Sequence, residues 1–240
     1  MDYKNYFSSI VSGGFVGAIF HPLDSLYYNY IVNNHKPNLF RKGFCFSTTT
    51  NIIKVCSIFP TQEFIKQKLH WMNSYWQDSI SGMMTGTVVA FIATPINSIK
   101  VPLLTTNKNT IIIVNQIYNK DGLKGFNKGI SLTICRDTFG YGTYFCLFPI
   151  INKYINNQPI SSTIASIIAL IIAYPFDVAR TMRQDNTQNN SMKICLKNSF
   201  SGINQNRTTF IIFMVRMILS IPIGHCTYLQ TQKFIEKNFI

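Results

Sequence analysis

Three short stretches set an acceptor and a donor at one spacing behind a proline: "HPLDSLYYN" from position 21, "TPINSIKVP" from 94 and "YPFDVARTM" from 174. Two residues after Pro22, Pro95 and Pro175 stand Asp24, Asn97 and Asp177, and three residues further on stand Tyr27, Lys100 and Arg180. Side chains three apart share a helix face, so each stretch presents a polar pair to whatever that face meets. A proline inside a helix removes a backbone hydrogen bond and bends the axis, which re-aims the turn after it. The chemistry on offer is that of a closing contact, carboxylate or amide against amine, guanidinium or phenol.

A second set lies downstream. Arg136 follows Pro95 by 41 residues and Arg216 follows Pro175 by 41, while Ser57 follows Pro22 by 35. Lys54 precedes Ser57 by about one helical turn, Asp137 adjoins Arg136, and Tyr141 comes five residues after Arg136. Charged side chains inside apolar helices usually face a water-filled path or a partner. Two arginines and a lysine on one cavity favour a solute with phosphates or carboxylates, because the guanidinium fork matches both. Tyr141 offers a ring to a base, worth about 1–3 kcal/mol if stacked. Plainer roles stand beside these: Arg136 neutralising Asp137, and the tyrosines packing or sitting at the membrane interface.

The elements that must carry these residues are long and apolar. Of the 240 residues 47% are hydrophobic and only 13% charged, with 22 Lys and Arg against 9 Asp and Glu. Uncharged runs extend over 19 residues from Asn5 to Leu23, 21 from Ser79 to Ile99 and 23 from Tyr154 to Phe176. At about 1.5 Å per residue such helices cross the roughly 30 Å hydrocarbon core of a bilayer. Small residues four apart recur in register before the three prolines, at Ser9 and Gly13, Gly82 and Gly86, Ser162 and Ser166, as close helix packing in a membrane requires. The expected class is an integral membrane bundle with a polar interior, its first helix retained rather than cleaved as a signal peptide.

Other classes fit less well. The net charge of +13 is not gathered into a basic helix that would track a nucleic acid backbone. The six cysteines form no CxxC and no zinc spacing with histidine, so no metal is expected. There is no HExxH and no Gly-rich phosphate loop, and His21, His35, His70 and His225 are scattered, so no enzyme and no cofactor are expected.

The tripled Pro-x-[Asp/Glu]-x-x-[Lys/Arg] pattern at the ends of three apolar runs resembles the mark of the mitochondrial carrier family, over nearly the whole chain. Proline spacings of 73 and 80 make its units short, similar to a divergent member of the kind reported in a giant DNA virus. The resemblance implies an all-α bundle of six transmembrane helices in three pseudo-threefold repeats, residues 1–77, 78–157 and 158–240, with short matrix helices. It implies a monomer in the inner mitochondrial membrane, of a host cell if viral, working by alternating access, with cardiolipin beside the turn Phe126 to Gly129.

It also implies a matrix gate in which each acidic position meets the basic position of the next unit: Asp24 with Lys100, Asn97 with Arg180, Asp177 with Tyr27. Only the first would be a full ion pair, so a weakened closure is expected on that side. At the opposite mouth the family's aromatic-plus-acid pattern is replaced by Phe148 and Pro149, Tyr228 and Leu229, Leu69 and His70. There Tyr228, Gln230 and Gln232 supply only hydrogen bonds. Solute contacts are implied at Ser57, Arg136 and Arg216. In the family an Arg plus acid pair such as Arg136 and Asp137 accompanies amino acids. The 35 Ile against 7 Ala, residues of AT-rich and GC-rich codons respectively, suggest instead a need for deoxynucleotides such as dATP and dTTP. The expected function is nucleotide exchange, with an amino-acid carrier or a non-transporting structural or channel protein as alternatives.

Overall fold

The computed structural model describes residues 3–32, 43–106, 108–185, 191–201 and 207–239; His35 lies outside them. Among these residues the fold is wholly helical. Six long helices, α1 (Tyr3–Val32), α2 (Phe44–Lys68), α3 (Ser74–Thr105), α5 (Ile130–Ile155), α6 (Gln158–Gln184) and α8 (Arg207–Phe239), are joined by two short ones, α4 (Thr110–Asp121) and α7 (Met192–Ser201). A 3-10 turn, Gly122–Asn127, leads from α4 into α5. Each long helix packs on the next long one, and α8 returns to α1, which closes a ring.

Pro22, Pro95 and Pro175 each lie inside an uninterrupted helix, ahead of the turn that carries their acceptor. The expected small residues set how closely the helices approach. A Cβ added at Gly82 would meet the carbonyl oxygen of Tyr141 at 2.7 Å, and one at Gly86 would run into the backbone of Asp137. On α1 a Cβ at Gly17 would meet the Cα of Thr48 at 2.8 Å, and one at Gly13 the Cα of Ile52 at 3.2 Å. In α6 the expectation is shifted by a residue: Ser162 is buried, but Ser166 is half-buried, and the tight stripe runs through Ala165, Ala169 and Ala173. Alanine is as small as serine in packing terms and has no hydroxyl to satisfy, so it serves a helix seam equally well.

Polarity is arranged inside out. Asp24, Asn97, Lys100, Asp137, Asp177 and Arg180 are buried, whereas Phe7, Val11, Phe15 and Ile19 on α1 and Ile160, Ile164, Ile168 and Ile172 on α6 lie exposed along outer faces. Among the described residues two helices, Trp76–Thr105 and Gln158–Gln184, are by length and composition apolar enough to cross a membrane. The other long helices carry more polar residues, among them Arg136 and Asp137 in α5 and Arg216 in α8.

Candidate functional site

The turns behind the three prolines come together around two carboxylates. Asp24 on α1 accepts from Lys100 Nζ of α3 at 2.9 Å and from Ser47 Oγ of α2 at 2.8 Å, and its other oxygen lies 2.5 Å from Arg216 Nε of α8. Asp177 on α6 accepts from Tyr27 OH of α1 at 2.8 Å and from Arg180 Nη2 at 2.8 Å, with Arg136 Nε of α5 at 3.3 Å. Through these two acids all six long helices are tied together. Buried carboxylates persist only when ionic and hydrogen-bonding partners replace the lost water, and here each has three.

Two of the expected pairings are present as contacts, Asp24 with Lys100 and Asp177 with Tyr27. The third is corrected: Arg180 turns to Asp177 of its own motif, and among the described residues no hydrogen bond joins it to Asn97, whose Nδ2 is buried without a partner. The cause is charge. Three residues apart on one helix face, a carboxylate holds a guanidinium better than a neutral amide across the bundle does.

Of the residues expected to bind solute, Arg136, Asp137 and Arg216 belong to this same network, Lys54 and Tyr141 lie within its electrostatic reach, and Ser57 stands apart. Arg136 also pairs with Asp137 at 3.2 Å, so its plainer role is present together with the reach to Asp177. Half-buried Lys54 makes no ion pair among the described residues and lies within electrostatic reach of Arg136, Asp137, Arg180 and Lys100. Tyr141, half-buried, is an electrostatic neighbour of Asp137 and Arg136. Ser57 is half-buried and donates to the carbonyl of Ile53 at 2.7 Å, one turn earlier in α2. Its hydroxyl is thus spent on its own helix, while its position on α2 stays beside Lys54.

Sequence reasoning missed the apolar seal around the acids. Tyr27, Tyr28, Ile31, Val101, Leu104, Tyr174, Val178 and Phe213, from α1, α3, α6 and α8, form one buried cluster. Lys100 Nζ lies 5.6 Å from the centre of the Tyr28 ring. Lys66 at the end of α2 pairs with Asp78 at the start of α3, and Gln77 Nε2 donates to the Lys66 carbonyl at 2.8 Å. Opposite charges flanking the short link between two helices were the available signal. On α8 the expected hydrogen bonding includes Gln232 Nε2 donating to Tyr228 OH at 2.8 Å, while Gln230 is exposed.

The chain is similar in sequence to known proteins. Residues 72–159 match the family model described as mitochondrial carrier protein. The chain is 25% identical over 125 residues to a mitochondrial arginine transporter of Arabidopsis thaliana, covering 46% of this chain and 42% of that one. It is 26% identical over 136 residues to mitochondrial thiamine pyrophosphate carrier 1 of Saccharomyces cerevisiae, covering 50% and 43% respectively. To the mitochondrial basic amino acids transporter of Rattus norvegicus it is 23% identical over 212 residues, covering 72% and 68%. The matches thus span about two fifths of the length of the first two relatives. The middle segment is thus similar to mitochondrial carrier proteins, and the relatives it matches are themselves named as mitochondrial carriers or transporters.

Proposed function

We propose that the chain is a multi-pass solute carrier of the mitochondrial inner membrane, of a host cell if viral, that exchanges nucleotides by alternating access. Three repeats, residues 1–77, 78–157 and 158–240, would rock about a site near mid-depth, as repeat-built transporters do. Deoxynucleotides such as dATP and dTTP are the intended cargo. The observation that supports the substrate class is the charge of the central network. Lys54, Lys100, Arg136, Arg180 and Arg216 surround Asp24, Asp137 and Asp177, an excess of two positive charges in a sheltered interior. Uncompensated charge is costly in a low dielectric, and a phosphorylated anion relieves it. The yeast relative is named for thiamine pyrophosphate, itself a phosphorylated compound.

The buried polar interior and exposed apolar outer faces support the membrane setting, since lipid reverses the usual arrangement. Trp71, Trp76 and Tyr154 are strongly exposed at the links between α2 and α3 and between α5 and α6, as interfacial aromatics are. The contacts of Asp24 and Asp177 act as the gate on the motif side. Lys128, in the Phe126 to Gly129 turn, has a buried Nζ without a partner, which suits an anionic lipid such as cardiolipin. The carrier works as a monomer, its path running through the single ring.

A second reading, an amino-acid carrier, draws on Asp137. It is 2% exposed, paired with Arg136 through Oδ1, and its Oδ2 has no partner, so it is placed to take an α-ammonium beside a carboxylate on Arg136. The arginine and basic amino-acid relatives point the same way. The test is exchange into liposomes preloaded in parallel with dATP, ADP, arginine or glutamate. Nucleotide exchange that collapses in Arg136→Ala and Arg216→Ala is the expected result. Exchange of amino acids alone would transfer the assignment to the second reading, and no exchange of any solute would refute the carrier.

A further inference from the structure

Among the described residues several cations of the network are incompletely partnered. Arg180 is 1% exposed; its Nη2 donates to Asp177, but Nε and Nη1 have no hydrogen-bond partner. Arg136 likewise leaves Nη1 buried and unpartnered. The two guanidiniums lie within electrostatic reach of each other, and Lys54, which makes no ion pair among the described residues, is within reach of both. Three cations are therefore gathered about Asp137 and Asp177, with three guanidinium nitrogens facing no acceptor. Buried N–H groups are nearly always satisfied, and leaving them unpaired costs their full desolvation. An oxyanion among them would turn that cost into charge-assisted bonds.

Asn97 bears on the charge of this site. It occupies the position filled by aspartate in the other two stretches, is 1% exposed, and lies on the same face of α3 as Lys100, a neighbour of Lys54. An aspartate here would add a negative charge to the network and remove part of its excess. We propose that Lys54, Arg136 and Arg180 form an oxyanion seat for a phosphate-like group, kept cationic by the amide at Asn97. Arg180 is then a specificity-determining residue as well as a closing contact. The group is either the solute's own phosphate or free inorganic phosphate. The seat deepens the carrier reading and rests on it only for its role in transport.

The test uses the full chain in lipid nanodiscs and follows thermal stabilisation by inorganic pyrophosphate and by dATP. Pyrophosphate should stabilise the native protein, and Arg180→Gln should weaken its apparent affinity roughly tenfold or more, as loss of a buried charged donor does. Asn97→Asp should weaken it in the same direction while preserving the fold, because it supplies a carboxylate to a cation-rich site. Competition between dATP and pyrophosphate would assign the seat to the solute's phosphate; additive stabilisation would assign it to a separate inorganic anion. Unchanged pyrophosphate affinity in both variants, or no stabilisation of the native protein, would overturn the seat. If the variants behave as expected but liposomes exchange no solute, the seat stands and the carrier reading falls. If exchange proceeds with unchanged KM in both variants, the carrier stands and the seat falls.

Discussion

Tyr27→Phe isolates one contact of the closed bundle. The ring is fully buried, 5.4 Å from the centres of both Tyr28 and Phe213, so phenylalanine keeps the packing and deletes only the hydroxyl. That hydroxyl donates to Asp177 Oδ2, while Arg180 and Arg136 both approach Oδ1. Removing it leaves a buried carboxylate oxygen without a donor. A hydrogen bond to a charged group contributes about 1.5–3 kcal/mol, so if the bond breaks on opening, the balance shifts toward the open state by roughly 10- to 150-fold.

The assay is labelling of a single cysteine, Ser57→Cys in a background lacking the native thiols, by a membrane-impermeant reagent applied to each side of oriented proteoliposomes. Tyr27→Phe should raise labelling from the motif side and lower it from the other. Tyr28→Phe is the control: its ring packs on Lys100 but its hydroxyl makes no hydrogen bond among the described residues. Labelling of Tyr27→Phe equal to the native protein, or to Tyr28→Phe, would refute the claim that this phenol holds the bundle closed.

Gly86→Ala should separate α3 from α5, because its Cβ meets backbone at Asp137; lower thermal stability and weaker solute binding should appear together in melting and exchange assays. Lys66→Ala removes the tie to Asp78, but Lys66 is 42% exposed, so the loss should stay under about 1 kcal/mol and shrink with added salt. Burial, reinforced by Arg183, holds the Lys128 ammonium below the ordinary lysine value, so the folded protein carries it at a penalty that lifts as pH rises through the lowered value. Lys128→Met should therefore raise thermal stability at neutral pH in detergent, with the gain narrowing toward about pH 10.5 and reversing at neutral pH when cardiolipin is added.

Repetition made the positions of the acids and prolines readable. One copy of Pro-x-Asp says little, but three in register fix where helices turn and which faces carry polar groups. The reach of side chains was not readable in the same way. Spacing placed Arg136 and Arg216 well away from the acids along the chain, yet a long guanidinium crosses that distance once the helices close, so both arginines end on the acids. Pairing by position likewise assigned Arg180 to Asn97, whereas charge assigns it to Asp177. The alanine stripe of α6 escaped because alanine serves close packing and simple filling alike. The apolar seal around Tyr27 escaped because its members come from four helices and share no sequence period.

This reach alters the expected weakness of the closure. Counting the motif alone gives one full ion pair, since Tyr27 and Asn97 replace a base and an acid. The geometry adds Arg216 on Asp24 and Arg136 on Asp177, so each acid is held by at least two cations. On the carrier reading, closure of this kind is strong but conditional. The motif cations hold the acids from the motif turns themselves, Arg180 keeping Nη2 on Asp177 while its other nitrogens stay free. Arg136 and Arg216 instead reach the acids from α5 and α8 and are groups an anionic solute would draw away. A solute that draws them away leaves Asp24 with Lys100 and Asp177 with Arg180 and Tyr27, the weaker set that the motif alone provides. On the carrier reading, the loss of two motif charges therefore does not produce a leaky gate; it transfers part of the hold to residues that release it when cargo arrives.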